Sequence, residues 1–152
     1  MNELRDLYQE LILDHYRHPR NFGPLPAASH HAEGHNPVCG DRLTLFLIME
    51  GDRVADVKFE GAGCAISTAS ASLMTEAIKG KTEAEVRALF EQFHTGLTAA
   101  DEAAAGAALA DLEKLAVLGG VRAYPVRVKC ATLPWRTLTA ALDRTQEPVQ
   151  TE

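Results

Sequence analysis

With 152 residues, 46% of them hydrophobic, the chain has the length of one domain and can bury a core without disulfide staples. Its net charge of −6 speaks against the clustered basic face that a nucleic-acid partner requires, and its three cysteines, an odd number, point to a reducing compartment. The start, Met1-Asn2-Glu3-Leu4-Arg5-Asp6, is unlike a signal peptide and the near-apolar run from Leu43 to Met49 is too short to span a bilayer, so a soluble cytoplasmic protein with no membrane partner is expected.

Leu4, Leu7, Tyr8, Leu11 and Ile12 recur at the spacing of one helical face and predict a helix over 3–16, with Asn2 as N-cap and Pro19 closing the segment. His15 and His18 fall at its end, where a cation suits the last carbonyls. Residues 17–38, punctuated by Pro19, Gly23, Pro24, Pro26, Gly34 and Pro37, read as a long loop that delivers the chain to Cys39. Arg42 to Glu50 and Arg53 to Glu60 read as two strands turning at Gly51-Asp52. In the second, Ala55, Val57 and Phe59 alternate with Asp56, Lys58 and Glu60, which makes one face buried and one wet. Cys39 lies just before the first strand and Cys64 just after the second, so antiparallel pairing brings them to the same end of the hairpin.

Beyond Cys64, the small residues from Ala65 to Ser72 lead into a helix ending near Gly80. Thr82-x-x-Glu85 is a capping box that starts another, running to about His94. The alanine-rich stretch 96–120 reads as one amphipathic surface helix with Thr98 as its cap and Leu109, Leu112 and Leu115 on one face. Val121 to Lys129 is expected to be extended, with Pro125 denying it a helix. Cys130 then precedes a last helix in which Trp135, Leu138 and Leu142 share a face and Pro134 sits in the tolerated first turn. The expectation is a single α+β domain over residues 1–144 and a frayed tail over 145–152.

Each cysteine has chemically suggestive neighbours: Pro37-Val38-Cys39-Gly40-Asp41, Gly61-Ala62-Gly63-Cys64 and Arg127-Val128-Lys129-Cys130. Three thiols cannot all pair within one chain, and their most economical joint use is one metal with Asp41 as the fourth ligand. Such a set is tetrahedral, suits zinc or iron–sulfur chemistry, and excludes magnesium and calcium. A carboxylate among thiolates suggests a ligand able to exchange. Gly40 and Gly63 give the backbone freedom to turn a thiol inward. Cys64 and Cys130 both lie near expected helix starts, where the partial positive charge favours a thiolate. Plainer readings stand beside these. A buried cysteine also serves as a small hydrophobe. His30, His31 and His35 are either further metal ligands or a solvated stretch, and Arg127 is either a surface cation or a fixed charge beside a thiolate or persulfide. No histidine occupies a motif position as the base of a cysteine hydrolase.

Four segments carry a resemblance. They are Leu7-Tyr8 through His15-Tyr16-Arg17-His18-Pro19-Arg20-Asn21-Phe22-Gly23, then Asn36-Pro37-Val38-Cys39-Gly40-Asp41, Gly61-Ala62-Gly63-Cys64-Ala65-Ile66-Ser67 and Val128-Lys129-Cys130. In order, over roughly residues 4–143, they resemble the iron–sulfur cluster assembly family that includes IscU, SufU and the N-terminal domain of NifU. Scaffold members carry a histidine immediately before the third cysteine, where this chain has Lys129. The SufU branch is similar in its lysine there, in an arginine matched by Arg127, and in an insertion matched by 96–120. The resemblance implies a small antiparallel β-sheet of about three strands with helices packed mainly on one face. It implies zinc held by Cys39, Asp41, Cys64 and Cys130, with Cys39 accepting persulfide sulfur from a pyridoxal-phosphate cysteine desulfurase and passing it to downstream cluster-assembly machinery. Asp41 would tune exchange, Arg127 would hold charge near the site, and the chain would be a sulfurtransferase-like carrier rather than a stand-alone enzyme. The rival readings are a scaffold holding a [2Fe–2S] cluster or iron on the same residues, and an interaction module with a structural zinc.

Overall fold

A computed structural model of the chain describes the backbone of residues 3–144 and 148–150 and the side chains from Gln9 onward. Helix α1 (Glu3–Arg17) precedes strands β1 (His30–Asn36), β2 (Asp41–Glu50) and β3 (Arg53–Ala62). Helices α2 (Ala65–Ile78), α3 (Glu83–Thr98) and α4 (Glu102–Ala110), a 3₁₀ helix (Glu113–Val121), helix α5 (Pro125–Leu142) and a two-residue strand β4 (Val149–Gln150) follow. The architecture is α+β, as expected, with one small sheet in the order β3-β2-β1-β4. The first three strands pair antiparallel, and β4 joins β1 in parallel. Among the described residues no helix is long and apolar enough to cross a membrane.

The hairpin forms as its alternation predicts, turning at Gly51-Asp52. A register shift at Ile48/Met49 places Val54 opposite Met49, so Val54, Val57 and Phe59 fill the core while Ala55 is only half-buried. The capping box of α3 is complete: Thr82 Oγ1 accepts from the Glu85 amide at 3.2 Å, and Glu85 Oε1 accepts from the Thr82 amide at 3.0 Å. Trp135, Leu138 and Leu142 share the buried face of α5, and the Trp135 ring stacks on Phe93 with centroids 4.9 Å apart.

Four local expectations are corrected. Part of the supposed loop 17–38 is structured, because His30–Asn36 pairs along β2 from His30↔Leu47 to Asn36↔Asp41. The segment His-His-Ala-Glu-Gly-His-Asn has little intrinsic strand propensity; its pairing partner and the core beneath make it a strand. Its inward positions Ala32, Gly34 and Asn36 are small and buried, which lets α5 pack close against the sheet.

The stretch 96–120 is two short helices rather than one. Thr98 ends α3, its hydroxyl donating to the His94 carbonyl at 2.6 Å, and Asp101 caps α4 by accepting from the Ala103 amide at 3.0 Å. The break lets Leu112, Leu115, Val117 and Leu118 turn into the core, which one straight surface helix could not do. The segment 121–129 is largely helical, since α5 begins at Pro125. A first-turn proline loses no helical hydrogen bond and its fixed φ suits the position, so Pro125 starts the helix it was expected to forbid. Cys130 and Pro134 consequently lie inside α5, and Pro134 offers no amide hydrogen to the carbonyl of Cys130 one turn earlier.

Finally, His15 does not cap α1. It is buried against α2 with Nδ1 2.7 Å from Ser72 Oγ, and burial, then the nearby Arg20 guanidinium, hold its pKa below the usual imidazole value. Arg20 supplies the capping contact, donating to the His18 carbonyl at 3.0 Å while pairing with Asp14 at 2.6 Å. The proposed N-cap Asn2 lies outside the described residues. Of the tail expected to fray, residues 145–147 and 151–152 also lie outside them, whereas Val149 and Gln150 pair with Gly34 and His35.

Candidate metal centre

The hairpin ends converge as their topology requires. Asp41 opens β2, lies opposite Asn36 of β1 and is 1% exposed. Its Oδ1 accepts the Cys64 amide hydrogen at 2.9 Å, which ties the end of β3 to the start of β2. Two glycines allow this. Gly40 has φ +73, a left-handed conformation that returns the chain from exposed Cys39 to buried Asp41. At Gly63 the reason is space: a Cβ there would meet Asp41 Oδ1 at 2.7 Å and Ser67 Oγ at 2.6 Å.

Cys130 arrives from the far side of the chain. Helix α5 lies over β1 and brings the Cys130 thiol, 1% exposed, to 3.2 Å from Cys39 Sγ. Both thiols are free, as is that of Cys64. Ligand atoms of Cys39, Asp41 and Cys130 all lie within 4.8 Å of one another. Asp41 Oδ2 is buried with no hydrogen-bond partner among the described residues, an arrangement that is costly for a carboxylate unless a cation or a proton meets it. Burial, then the neighbouring Cys39 thiol and Asp41 carboxylate, push the Cys130 thiol far above its ordinary pKa. Two thiols and an unsatisfied carboxylate oxygen therefore lie together, and this donor set fits a thiophilic cation.

Cys64, expected as a further ligand, is not among these three donors, although its amide bonds Asp41. It is the N-cap of α2, with its sulfur accepting from the Ser67 amide at 3.5 Å, so the expected helix start is real at Cys64 although not at Cys130. Arg127 is exposed, one turn before Cys130 on α5, with its guanidinium carbon 5.0 Å from the centre of the Tyr124 ring. His30, His31 and His35 lie on β1 and none joins the donor group; His30 Nε2 accepts from Arg144 Nε at 3.2 Å.

Sequence reasoning assigned no role to Asn36, which is fully buried beside the thiols. Its Nδ2 donates to Cys130 Sγ at 3.7 Å while its Oδ1 accepts from the Val38 amide at 3.1 Å. The signal was legible in part: an asparagine two residues before an amide in a Pro-containing turn commonly makes that second bond. Its contact with Cys130 depends on a helix far along the chain. Also missed were the links between α1, the following loop and α2, where the Arg20 amide donates to Ser72 Oγ at 2.9 Å and Asn21 Nδ2 donates to Thr75 Oγ1 at 3.0 Å.

Residues 7–131 match the NifU-like N terminal domain. The chain is 44% identical to the zinc-dependent sulfurtransferase SufU of Bacillus subtilis (strain 168) over 138 residues, covering 89% of this chain and 88% of that protein. It is 37% identical to the iron–sulfur cluster assembly scaffold protein IscU of Streptococcus pyogenes serotype M1 over 144 residues, covering 95% and 87%. Among solved structures, it superposes with a TM-score of 0.73 and 38% identity on a candidate iron–sulfur cluster assembly scaffold protein for the SUF system of Fervidobacterium islandicum AW-1, covering 91% of this chain and 98% of that one.

Proposed function

This chain belongs to the family of NifU-like N-terminal domains, and from that premise we propose that it is a zinc-dependent sulfur acceptor in iron–sulfur cluster assembly. It takes persulfide sulfur from a cysteine desulfurase and hands it to the assembly machinery. Cys39, Asp41, Cys64 and Cys130 are the proposed zinc ligands, and Cys39 is the acceptor. The observation that carries this reading is the buried, unpartnered Asp41 Oδ2 beside two thiols, one buried and one exposed.

Bound zinc supplies the positive charge that keeps ligand thiols ionised at neutral pH. The chain's own residues divide the remaining work. Cys130 and Asp41 are buried and hold their donors in place, with Asn36 orienting the Cys130 sulfur and the Cys64 amide fixing the Asp41 carboxylate. Cys39, at the exposed tip of the turn between β1 and β2, is the thiol a partner can reach. Its thiolate attacks the terminal sulfur of the desulfurase persulfide. A new S–S bond forms at Cys39, the old one breaks, and the desulfurase cysteine leaves as a thiolate, so no external oxidant or reductant is needed. Arg127, one turn before Cys130, places positive charge on the approach to the thiols.

A scaffold reading, with a [2Fe–2S] cluster on the same donors, has the similarity to IscU in its favour. Lys129, where scaffold members carry histidine, weighs against it. The sulfur-acceptor reading is tested with Cys39→Ser, which should abolish stimulation of a cysteine desulfurase while the fold stays intact by circular dichroism. Full stimulation by the variant would sink it. Iron and acid-labile sulfide in place of zinc, after anaerobic purification, would favour the scaffold.

A further inference from the structure

Burial shields Cys130 from outside reagents but not from Cys39, whose Sγ lies 3.2 Å from its own. Reacting atoms at that separation are placed for bond formation. The contact matters once Cys39 carries a second sulfur. The Cys130 sulfur then faces the inner sulfur of the persulfide, and attack there forms a Cys39–Cys130 disulfide. The S–S bond to the outer sulfur breaks, and that sulfur leaves with the Cys130 proton as hydrogen sulfide. Cys130 is oxidised and the outer sulfur is reduced, so the step balances with no outside reagent. It would empty Cys39 before the sulfur reached an acceptor.

One side chain bears on both thiols in that step. Asn36 closes β1, is fully buried and lies opposite Asp41. The Val38 backbone amide has only a hydrogen to give, so the Asn36 atom it meets at 3.1 Å is the oxygen, Oδ1. Nδ2 is thereby turned to the Cys130 sulfur, 3.7 Å away. Val38 directly precedes Cys39, so this one side chain ties the turn that carries Cys39 to the helix that carries Cys130. Its N–H engages a lone pair of the Cys130 sulfur, and the thiol donates its own hydrogen toward Cys39. A nucleophile must aim a lone pair, whereas here a proton faces Cys39. We infer that Asn36 is a positioning residue that guards the sulfur on Cys39, by holding Cys130 in an orientation from which it does not attack. This rests on Cys39 as the acceptor, and it adds a residue that sets how long the acceptor stays loaded.

The test takes the full-length chain, treated with a chelator so that its thiols are free, and loads it with inorganic polysulfide. After removal of the excess, peptide mass mapping follows the gain of one sulfur on Cys39 and its replacement by a Cys39–Cys130 disulfide. A colorimetric assay reads the sulfide released. Asn36→Ala, which is smaller, and Asn36→Leu, which keeps a branched side chain, both remove the donor. Each should discharge Cys39 about twofold to tenfold faster than the parent, the weight of one neutral hydrogen bond, with circular dichroism unchanged. Adding Cys130→Ser to either variant should abolish the release. Pro37→Gly loosens the same turn and leaves the Asn36 amide in place, so it should discharge at the parent rate. The inference is overturned if both Asn36 variants match the parent, or if the release persists without Cys130. It is also overturned if Pro37→Gly is as fast as they are, which would assign the effect to mobility of the turn. With sulfur present on Cys39, those results overturn the inference alone. Absence of sulfur from Cys39 in every protein would overturn it together with the acceptor reading.

Discussion

Gly63→Ala offers a sharp test of whether the donor group is a built site. The new methyl would stand 2.7 Å from Asp41 Oδ1, 3.2 Å from Asp41 Cγ and 2.6 Å from Ser67 Oγ. The first two contacts press on a carboxylate that is buried and bonded to the Cys64 amide, so relief requires Asp41 or the 61–64 backbone to shift. Overpacking of this kind costs about 1–3 kcal/mol. For a chain of this size each kcal/mol lowers Tm by roughly 2–4 °C, which predicts a fall of roughly 2–12 °C in the metal-free protein. Displacing Asp41 should also lower zinc affinity by about tenfold or more, measured by competition with a chromogenic chelator. Gly120→Ala is the control, since a Cβ there meets nothing within 4 Å. If Gly63→Ala melts and binds zinc like that control, the close approach of Gly63 to Asp41 has no bearing on the site and the reasoning fails.

Asp41→Asn should separate metal binding from folding. It removes a buried charge, so the metal-free protein should melt within about 1 kcal/mol of the parent or above it, while chelator competition shows zinc affinity down by about tenfold or more; equal zinc affinity would remove Asp41 from the ligand set. For His15, the folded pKa lies below the ordinary imidazole value of about 6.5, so the unfolded chain takes up the proton first. Its contribution is complete above about pH 6.5 and is lost as pH falls from there toward the folded pKa. Denaturant melts from pH 7.5 to 5 should therefore show a shallower loss in His15→Gln than in the parent, and parallel curves would refute the assignment.

Much of the site can be read along the chain because its logic is local or runs through one hairpin. The turn at Gly51-Asp52 obliges the segments around Cys39 and Cys64 to meet, and Thr82 and Glu85 announce their own capping box. Strand β1 was not legible, since His30–Asn36 has the composition of a loop and becomes a strand only by pairing with β2. Pro125 misled for a related reason: the same residue starts a helix or forbids one depending on its position, which the residues around it left open. His15 resembled a capping cation until α2 was seen to cover it.

By itself, then, the amino-acid sequence determined the family and the meeting of the segments around Cys39 and Cys64, because hairpin geometry needs few residues to be expressed. Only the tertiary structure decided that Cys130 comes to rest against Cys39 and that Asn36 donates to its sulfur. Each of these depends on where α5 lies over the sheet, and that placement comes from burial of apolar surface, a non-directional force summed over contacts far apart in sequence.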